Sequence, residues 1–178
     1  MVEKERKLLG EEEKKILAKT VKPCLQCGVC TSTCPPARFS SEFNIRKLAL
    51  EISRNDFQQS TFSKTIWKCF LCFECVNLCP NNVPLPEVIL FLRGYALTQG
   101  LAEEIYNMLK EPVKNLFETG AIVPYGRINL RKYMGLPPTT EIPKESLKKL
   151  KKIFEKTGFK ENLNMLESIY THTKSLGG

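Results

Sequence analysis

Cys24-Leu25-Gln26-Cys27-Gly28-Val29-Cys30-Thr31-Ser32-Thr33-Cys34-Pro35 is one half of the pattern that decides this chain, and Cys69-Phe70-Leu71-Cys72-Phe73-Glu74-Cys75-Val76-Asn77-Leu78-Cys79-Pro80 is the other. Both stretches read C-x2-C-x2-C-x3-C-P, and together they use all eight cysteines of the sequence. That spacing is the one that wraps cubane iron–sulfur clusters. The repeat therefore predicts two 4Fe–4S clusters and a protein that moves electrons.

The chemistry needs this spacing because a cubane has four iron corners, each taking one thiolate. Three cysteines spaced three apart let a tight loop reach three corners. In two-cluster ferredoxins the fourth cysteine of the run turns away and ligates the other cluster. The proline after it fixes φ and removes a backbone donor, which sets the direction in which the chain leaves. The expected sets are Cys24, Cys27, Cys30 and Cys79 for one cluster, and Cys69, Cys72, Cys75 and Cys34 for its neighbour. Zinc usually takes separated C-x2-C pairs or mixed Cys/His sites, and the only histidine, His172, is far away in sequence. A disulfide framework would suit a short secreted chain, and a redox dithiol would be a single C-x-x-C in a βαβ context; neither pattern is present.

With 178 residues and 42% hydrophobic content, the chain has room for one small domain with extensions. No stretch approaches the roughly 18 apolar residues of a membrane span; the run Val88-Ile89-Leu90-Phe91-Leu92 ends at Arg93. The charged start, Met1 to Lys7, lacks the apolar region of a signal peptide, so a cytoplasmic protein is expected. Net charge is +8, from 27 basic and 19 acidic side chains. Eight thiolates and two oxidised cubane cores would bring that to about +4. Lys144, Lys148, Lys149, Lys151, Lys152, Lys156 and Lys160 read first as the solvated face of a helix and second as a patch for an acidic partner. No nucleic-acid-binding motif accompanies the charge.

The periodicity predicts an all-α protein with no strand or hairpin. Residues 1–19 form an N-terminal helical extension, anchored by Leu8, Leu9, Ile16 and Leu17. Residues 20–100 form an α-helical ferredoxin domain, and residues 101–178 a helical and irregular extension for partner docking. Within the middle domain, Ser41 is the expected cap of a helix carrying Ile45, Leu48, Ala49 and Ile52. A short helix near Phe62–Lys68 leads to the second cysteine run. Pro84 and Pro86 open a helix to about Gln99, with Leu85, Val88, Ile89, Leu92 and Ala96 on one face and Gly100 at its end. Another helix runs from Leu101 toward Lys110 until Pro112 interrupts it. Residues 118–143 are rich in glycine and proline and lack periodicity, which suits either a loop on its own domain or an arm on a partner. Lys144–Lys156 is a terminal amphipathic helix with Leu147, Leu150, Ile153 and Phe154 inward, ended at Thr157-Gly158. A short helix, Asn162–Tyr170, and a frayed tail follow.

With its motif pair, its 34-residue helical spacer from Pro35 to Lys68, and the Trp67-Lys68-Cys69 approach to the second run, the chain resembles the C subunit of heterodisulfide reductases. Gly135-Leu136-Pro137-Pro138 resembles the tail of that family more loosely. The resemblance covers methanogen-type complexes and the heterodisulfide-reductase-like complexes of sulfur oxidisers. It implies a relay between a flavin and iron–sulfur subunit (A-like) and a catalytic subunit with cysteine-rich CCG domains (B-like), with homodimerisation inside the complex left open. The eight motif cysteines carry over as ligands; no catalytic residue does, because the family's catalysis lies elsewhere in the complex. Similar helical modules occur in the iron–sulfur subunits of succinate dehydrogenase and fumarate reductase and in the C subunit of anaerobic glycerol-3-phosphate dehydrogenase. The additional plant-type ferredoxin domain or CCG repeats of those proteins have no cysteines to build them here.

Nothing in the sequence reads as an active site. It has neither a dinucleotide nor a P-loop glycine pattern, His172 lies in the tail, and every cysteine is already committed. Arg93 and Tyr95 could tune a cluster through charge or hydrogen bonds, although exposed helix residues are the commoner explanation. Phe70 and Phe73 are expected either to shield the second cluster or to be ordinary core. The alternatives to a role inside a complex are a free ferredoxin-like carrier and the iron–sulfur subunit of another dehydrogenase or reductase. The basic charge and the long extensions favour a member of a complex.

Overall fold

The computed structural model describes residues 9–56, 61–62, 64–122, 128–136 and 142–174. Among these residues there is no strand, as the periodicity requires. The helices are α1 (Glu11–Val21), α2 (Val29–Ser32), α3 (Pro35–Phe39), α4 (Ile45–Ser53), a 3-10 helix (Thr65–Lys68), α5 (Glu74–Asn77) and α6 (Leu85–Thr98). Then come α7 (Glu103–Thr119), α8 (Ile128–Tyr133), α9 (Lys144–Lys156) and α10 (Phe159–Lys174). The chain divides into two compact units, Met1–Glu103 and Glu104–Gly178.

The first unit is built on two apolar stripes. Ile45, Leu48, Ala49 and Ile52 of α4 are all buried, as are Leu85, Val88, Ile89, Leu92 and Ala96 of α6. Phe43, Phe62 and Ile66 are buried with them. Each such large side chain contributes about 1.5–3 kcal/mol when fully buried, which is how a unit of this size offsets its chain entropy. α1 packs on α4 and buries Leu17 and Val21. Glu11, Glu12 and Glu13 in the first turn of α1 and Lys19 in its last turn complement the helix dipole. α2 packs on α4 and on α5, while α5 and the 3-10 helix pack on α6. Because α2 and α5 are the short helices inside the two cysteine runs, their mutual packing brings the runs together.

Several boundaries differ from those expected. α1 begins at Glu11, after Gly10, and Ile16 is exposed rather than an anchor; Leu8 lies outside the described residues. Asn44, not Ser41, caps α4, its Oδ1 accepting from Lys47 N at 3.0 Å. Pro112 does not end a helix: α7 runs through it unbroken. A proline inside a helix removes one hydrogen bond, and the rest of a 17-residue ladder absorbs that loss.

The second unit is held by aromatic contacts. Tyr106 and Tyr170 stack at 4.2 Å between ring centroids, Phe117 meets Phe154 at 5.6 Å, and Phe154 meets Phe159 at 4.8 Å. α9 keeps its expected bounds and is followed at Gly158 by a φ of +69°, which suits glycine. Leu147, Leu150 and Phe154 are partly covered, while Ile153 is exposed, contrary to expectation. The last helix is longer than expected, Phe159–Lys174. Residues 118–143 contain the helix α8; residues 123–127 and 137–141 of that stretch lie outside the described residues.

Candidate metal centre

The two cysteine runs have the same backbone. In the first, Gln26 (φ +57°) and Gly28 (φ +87°) take the left-handed conformation; in the second, Leu71 (φ +54°) and Phe73 (φ +63°) do so at the matching positions. A short helix follows each, α2 after Gly28 and α5 after Phe73. Left-handed residues turn the chain sharply, so three cysteines of one run can curl round a common centre. Cys27 and Cys72, the middle cysteines, are exposed; Cys34 and Cys75 are buried.

Cys79 comes to the first run, not to its own. One cavity is lined by Cys24, Cys27, Cys30 and Cys79, together with Gly28, Arg46, Pro80, Val83 and Leu85. A clasp fixes this crossing: Asn81 Nδ2 donates to Pro23 O at 2.5 Å, joining the end of the second motif to the start of the first. The electrostatics follow the same crossing. Burial pushes the Cys30 thiol up, the Thr31 hydroxyl pulls it back, and charge on Cys24, Cys27 or Cys79 pushes it further up. Cys34 is raised by burial, lowered by a hydrogen bond from the Ala37 backbone, and raised again by Cys69 and Cys72. Cys75 is pushed up to about 12, by burial first and then by Cys69, Cys30, Cys72 and Cys34. Charge on Cys30 of the first run thus reaches Cys75 of the second, while the middle cysteines Cys27 and Cys72 are the solvent-exposed members of their runs.

Donors surround the sulfurs. Gln26 Nε2 donates to Cys24 Sγ at 3.3 Å, Leu71 N to Cys69 Sγ at 3.4 Å and Val83 N to Cys79 Sγ at 3.4 Å. Thr31 Oγ1 donates to Asn44 Oδ1 at 3.1 Å and accepts from Arg46 N at 3.3 Å. The α4 cap is therefore tied to the first cysteine loop. Burial raises the Cys69 thiol, the Leu71 N–H lowers it, and Arg93 lowers it further against a contribution from Cys72.

The donor set suits cubanes rather than single ions. Four neighbouring thiols, most of them at least half-buried, cannot ionise together without a strong compensating positive charge. Among the described residues, no three Cys, His, Asp or Glu side chains converge on one ion position. A tetrahedral zinc needs four sulfurs about 2.3 Å from one point, whereas a cubane takes each thiolate at a separate corner.

Phe70 is 70% exposed and Phe73 40%, so neither is ordinary core. Arg93 is half-buried and held by three hydrogen bonds, contrary to the commoner expectation of an exposed helix residue. Sequence reasoning passed over Gln26, Asn44, Arg46 and Asn81. Asn81, directly after Cys79-Pro80, and Asn44, ahead of the apolar stripe of α4, were the available signals. The side chain of His172 lies outside the described residues. The charge on α9 reads as a solvated face: Lys144, Lys148, Lys149, Lys152 and Lys156 are exposed, and Lys149 pairs with Glu145 at 3.0 Å.

The all-helical fold and the paired cysteine loops define a two-cluster ferredoxin of the helical type. Residues 20–83 match the family described as a 4Fe-4S dicluster domain, and the chain carries two 4Fe–4S clusters. Over 160 residues it is 32% identical to a protein of Archaeoglobus profundus named as similar to the C subunit of heterodisulfide reductase, covering 87% of this chain and 82% of that one. It is 30% identical to the C subunit of the H(2):CoB-CoM heterodisulfide,ferredoxin reductase of Methanothermobacter marburgensis, covering 76% and 74%. It is 27% identical to the second iron-sulfur C subunit of the CoB--CoM heterodisulfide reductase of Methanocaldococcus jannaschii, covering 89% and 83%. The chain belongs to the family of heterodisulfide reductase C subunits, whose members are iron–sulfur electron-transfer proteins. No described helix is long and apolar enough to cross a membrane.

Proposed function

We propose that this chain is the electron relay of a heterodisulfide reductase or heterodisulfide-reductase-like complex. It passes electrons between a flavin and iron–sulfur subunit and a catalytic subunit with CCG domains. Cys24, Cys27, Cys30 and Cys79 hold one cluster; Cys69, Cys72, Cys75 and Cys34 hold the other. Each bound cubane supplies a one-electron redox centre.

The cavity that joins Cys79 to Cys24, Cys27 and Cys30 carries this reading. A crossed ligand set holds the clusters side by side, with Cys30 and Cys75 on the inner side. Cys27 and Cys72 are exposed, so each cysteine run offers its own approach from solvent. The chain's residues bind, position and shield the clusters, and bond-breaking chemistry falls to the catalytic partner.

A tagged chain purified without oxygen from its native host tests the proposal. Co-purification of a flavin-containing subunit and a CCG-domain subunit is expected, with clusters that are oxidised and reduced during turnover of that complex. A chain that purifies alone, and exchanges electrons freely with unrelated enzymes, would place it among the diffusing carriers instead.

A further inference from the structure

Arg93 is gripped by the segment that delivers the second cysteine run. It projects from α6 to the 3-10 helix Thr65–Lys68, where its Nε and Nη2 donate to Ile66 O at 3.1 and 2.8 Å. Nη2 also donates to Cys69 O at 2.6 Å. The guanidinium carbon lies 5.3 Å from the centre of the Trp67 ring, and the Trp67 indole N–H in turn donates to Phe62 O at 2.7 Å. One planar cation therefore fixes the backbone on both sides of Trp67 and Lys68, immediately before the first ligand of the run.

The charge itself remains. The groups that Arg93 bonds are neutral carbonyls, and the half-buried side chain is only partly hydrated. A positive charge in such a place acts on nearby negative charge more strongly than one in open water. Beside the first run, by contrast, Arg46 reaches Gln26 O only at 3.5 Å and is exposed.

We propose that Arg93 is a positioning residue that also sets the reduction potential of one cluster, the one held by Cys69, Cys72, Cys75 and Cys34, making that cluster easier to reduce. This rests on the ligand sets proposed above. One-electron reduction makes the cluster and its four thiolates more negative by one charge. A fixed cation beside Cys69 stabilises that state, so the potential of this cluster sits higher than it would without Arg93. The other cluster, whose ligands do not adjoin Arg93, changes less.

The test is an anaerobic redox titration of the loaded full chain, followed by electron paramagnetic resonance, for wild type, R93Q, R93K and R46Q. A C72S variant identifies which signal belongs to which set, so an error in the ligand sets shows up separately from an error about Arg93. In R93Q the reduced-to-oxidised ratio of the second cluster at fixed poise should fall about tenfold, a downward shift of about 59 mV for one electron. The first cluster should move less, and R46Q should leave the second cluster unmoved. R93K keeps the charge but loses the planar fork. Its potential should stay close to wild type while a chelator removes its iron several-fold faster. An unchanged potential in R93Q, or equal shifts in R93Q and R93K, would reduce Arg93 to a structural clamp and overturn the proposal. If R93Q loses its second cluster outright, R93K decides: a potential lowered although the charge is kept overturns the proposal, and a retained potential supports it.

Discussion

At the scale of single residues, the thiols make the site pH-dependent in opposite ways with and without metal. Cys30, Cys34, Cys69 and Cys75 all sit above the ordinary value of 9.0, burial being the first cause in each. A raised thiol pKa favours the neutral form in the folded, metal-free chain. That contribution to stability is complete below pH 9 and is lost as pH rises toward about 12, where Cys75 ionises. The melting temperature of the metal-free chain should therefore fall above pH 9, and C75S should flatten the fall. Ligation demands the thiolate, so the loaded chain behaves oppositely. Chelator extraction should speed up as pH drops, by about tenfold per pH unit for each proton taken up in the slow step. Extraction that slows in acid would contradict the assignment of thiolate ligands. Phe73 makes a second point. It holds φ +63° where the first run has Gly28 at +87°. A side chain there costs about 1–2 kcal/mol. G28A should destabilise the loaded chain by about 1 kcal/mol even though its Cβ finds room, the nearest neighbour being Arg46 Cδ at 3.9 Å. F73G should recover a similar amount, less whatever packing the ring provides. Thermal melting under anaerobic conditions measures both; a cost-free G28A would mean the loop adapts rather than being held.

At the scale of elements, the sequence was most readable where apolar periodicity and cluster spacing coincide. The stripes of α4 and α6 are buried residue for residue as their 3.6 period requires. Ser41 and Pro112 show the limits of local signals. Serine is a good cap, but Asn44 stands directly before the stripe and reaches Lys47 N, and capping is decided by that register. Proline costs a helix about 3 kcal/mol, yet the rest of the 17-residue ladder of α7 carries the helix through Pro112. Phe73 was legible only by comparing the two runs position by position; glycine in one announces a turn that phenylalanine in the other conceals. The grip on Arg93 was not legible at all, since its acceptors are backbone carbonyls at residues 66 and 69, brought to it by tertiary packing. The second unit, from Glu104 onward, holds no cysteine. Removing residues 104–178 should leave iron and sulfide content unchanged, because all eight thiols and the α4 and α6 core remain. The proposed docking role of this extension predicts that the truncated chain loses its partners in a pull-down. Unchanged partner affinity would assign docking to the cluster unit.

At the scale of the whole molecule, the proposed ligand sets cross two copies of one loop at their fourth cysteines and so make a pair of neighbouring redox centres, with an exposed cysteine in each run. The Asn81–Pro23 clasp, the packing of α2 on α5 and the cavity joining Cys79 to the first run all serve that crossing. Neighbouring clusters held this way should have interacting unpaired spins, and each ligand swap should have a non-local signature. The direct measurement is electron paramagnetic resonance of the fully reduced, anaerobically purified chain, wild type against Cys79→Ser, with iron and sulfide assayed on the same samples. The wild type should carry about eight irons and eight sulfides and give a broadened spectrum from two coupled clusters. Cys79→Ser should perturb the cluster of Cys24, Cys27 and Cys30, as Cys24→Ser does, and leave a simpler signal from the other. A colourless protein with stoichiometric zinc, or a Cys79→Ser variant that matches Cys72→Ser instead, would contradict the crossed two-cluster relay.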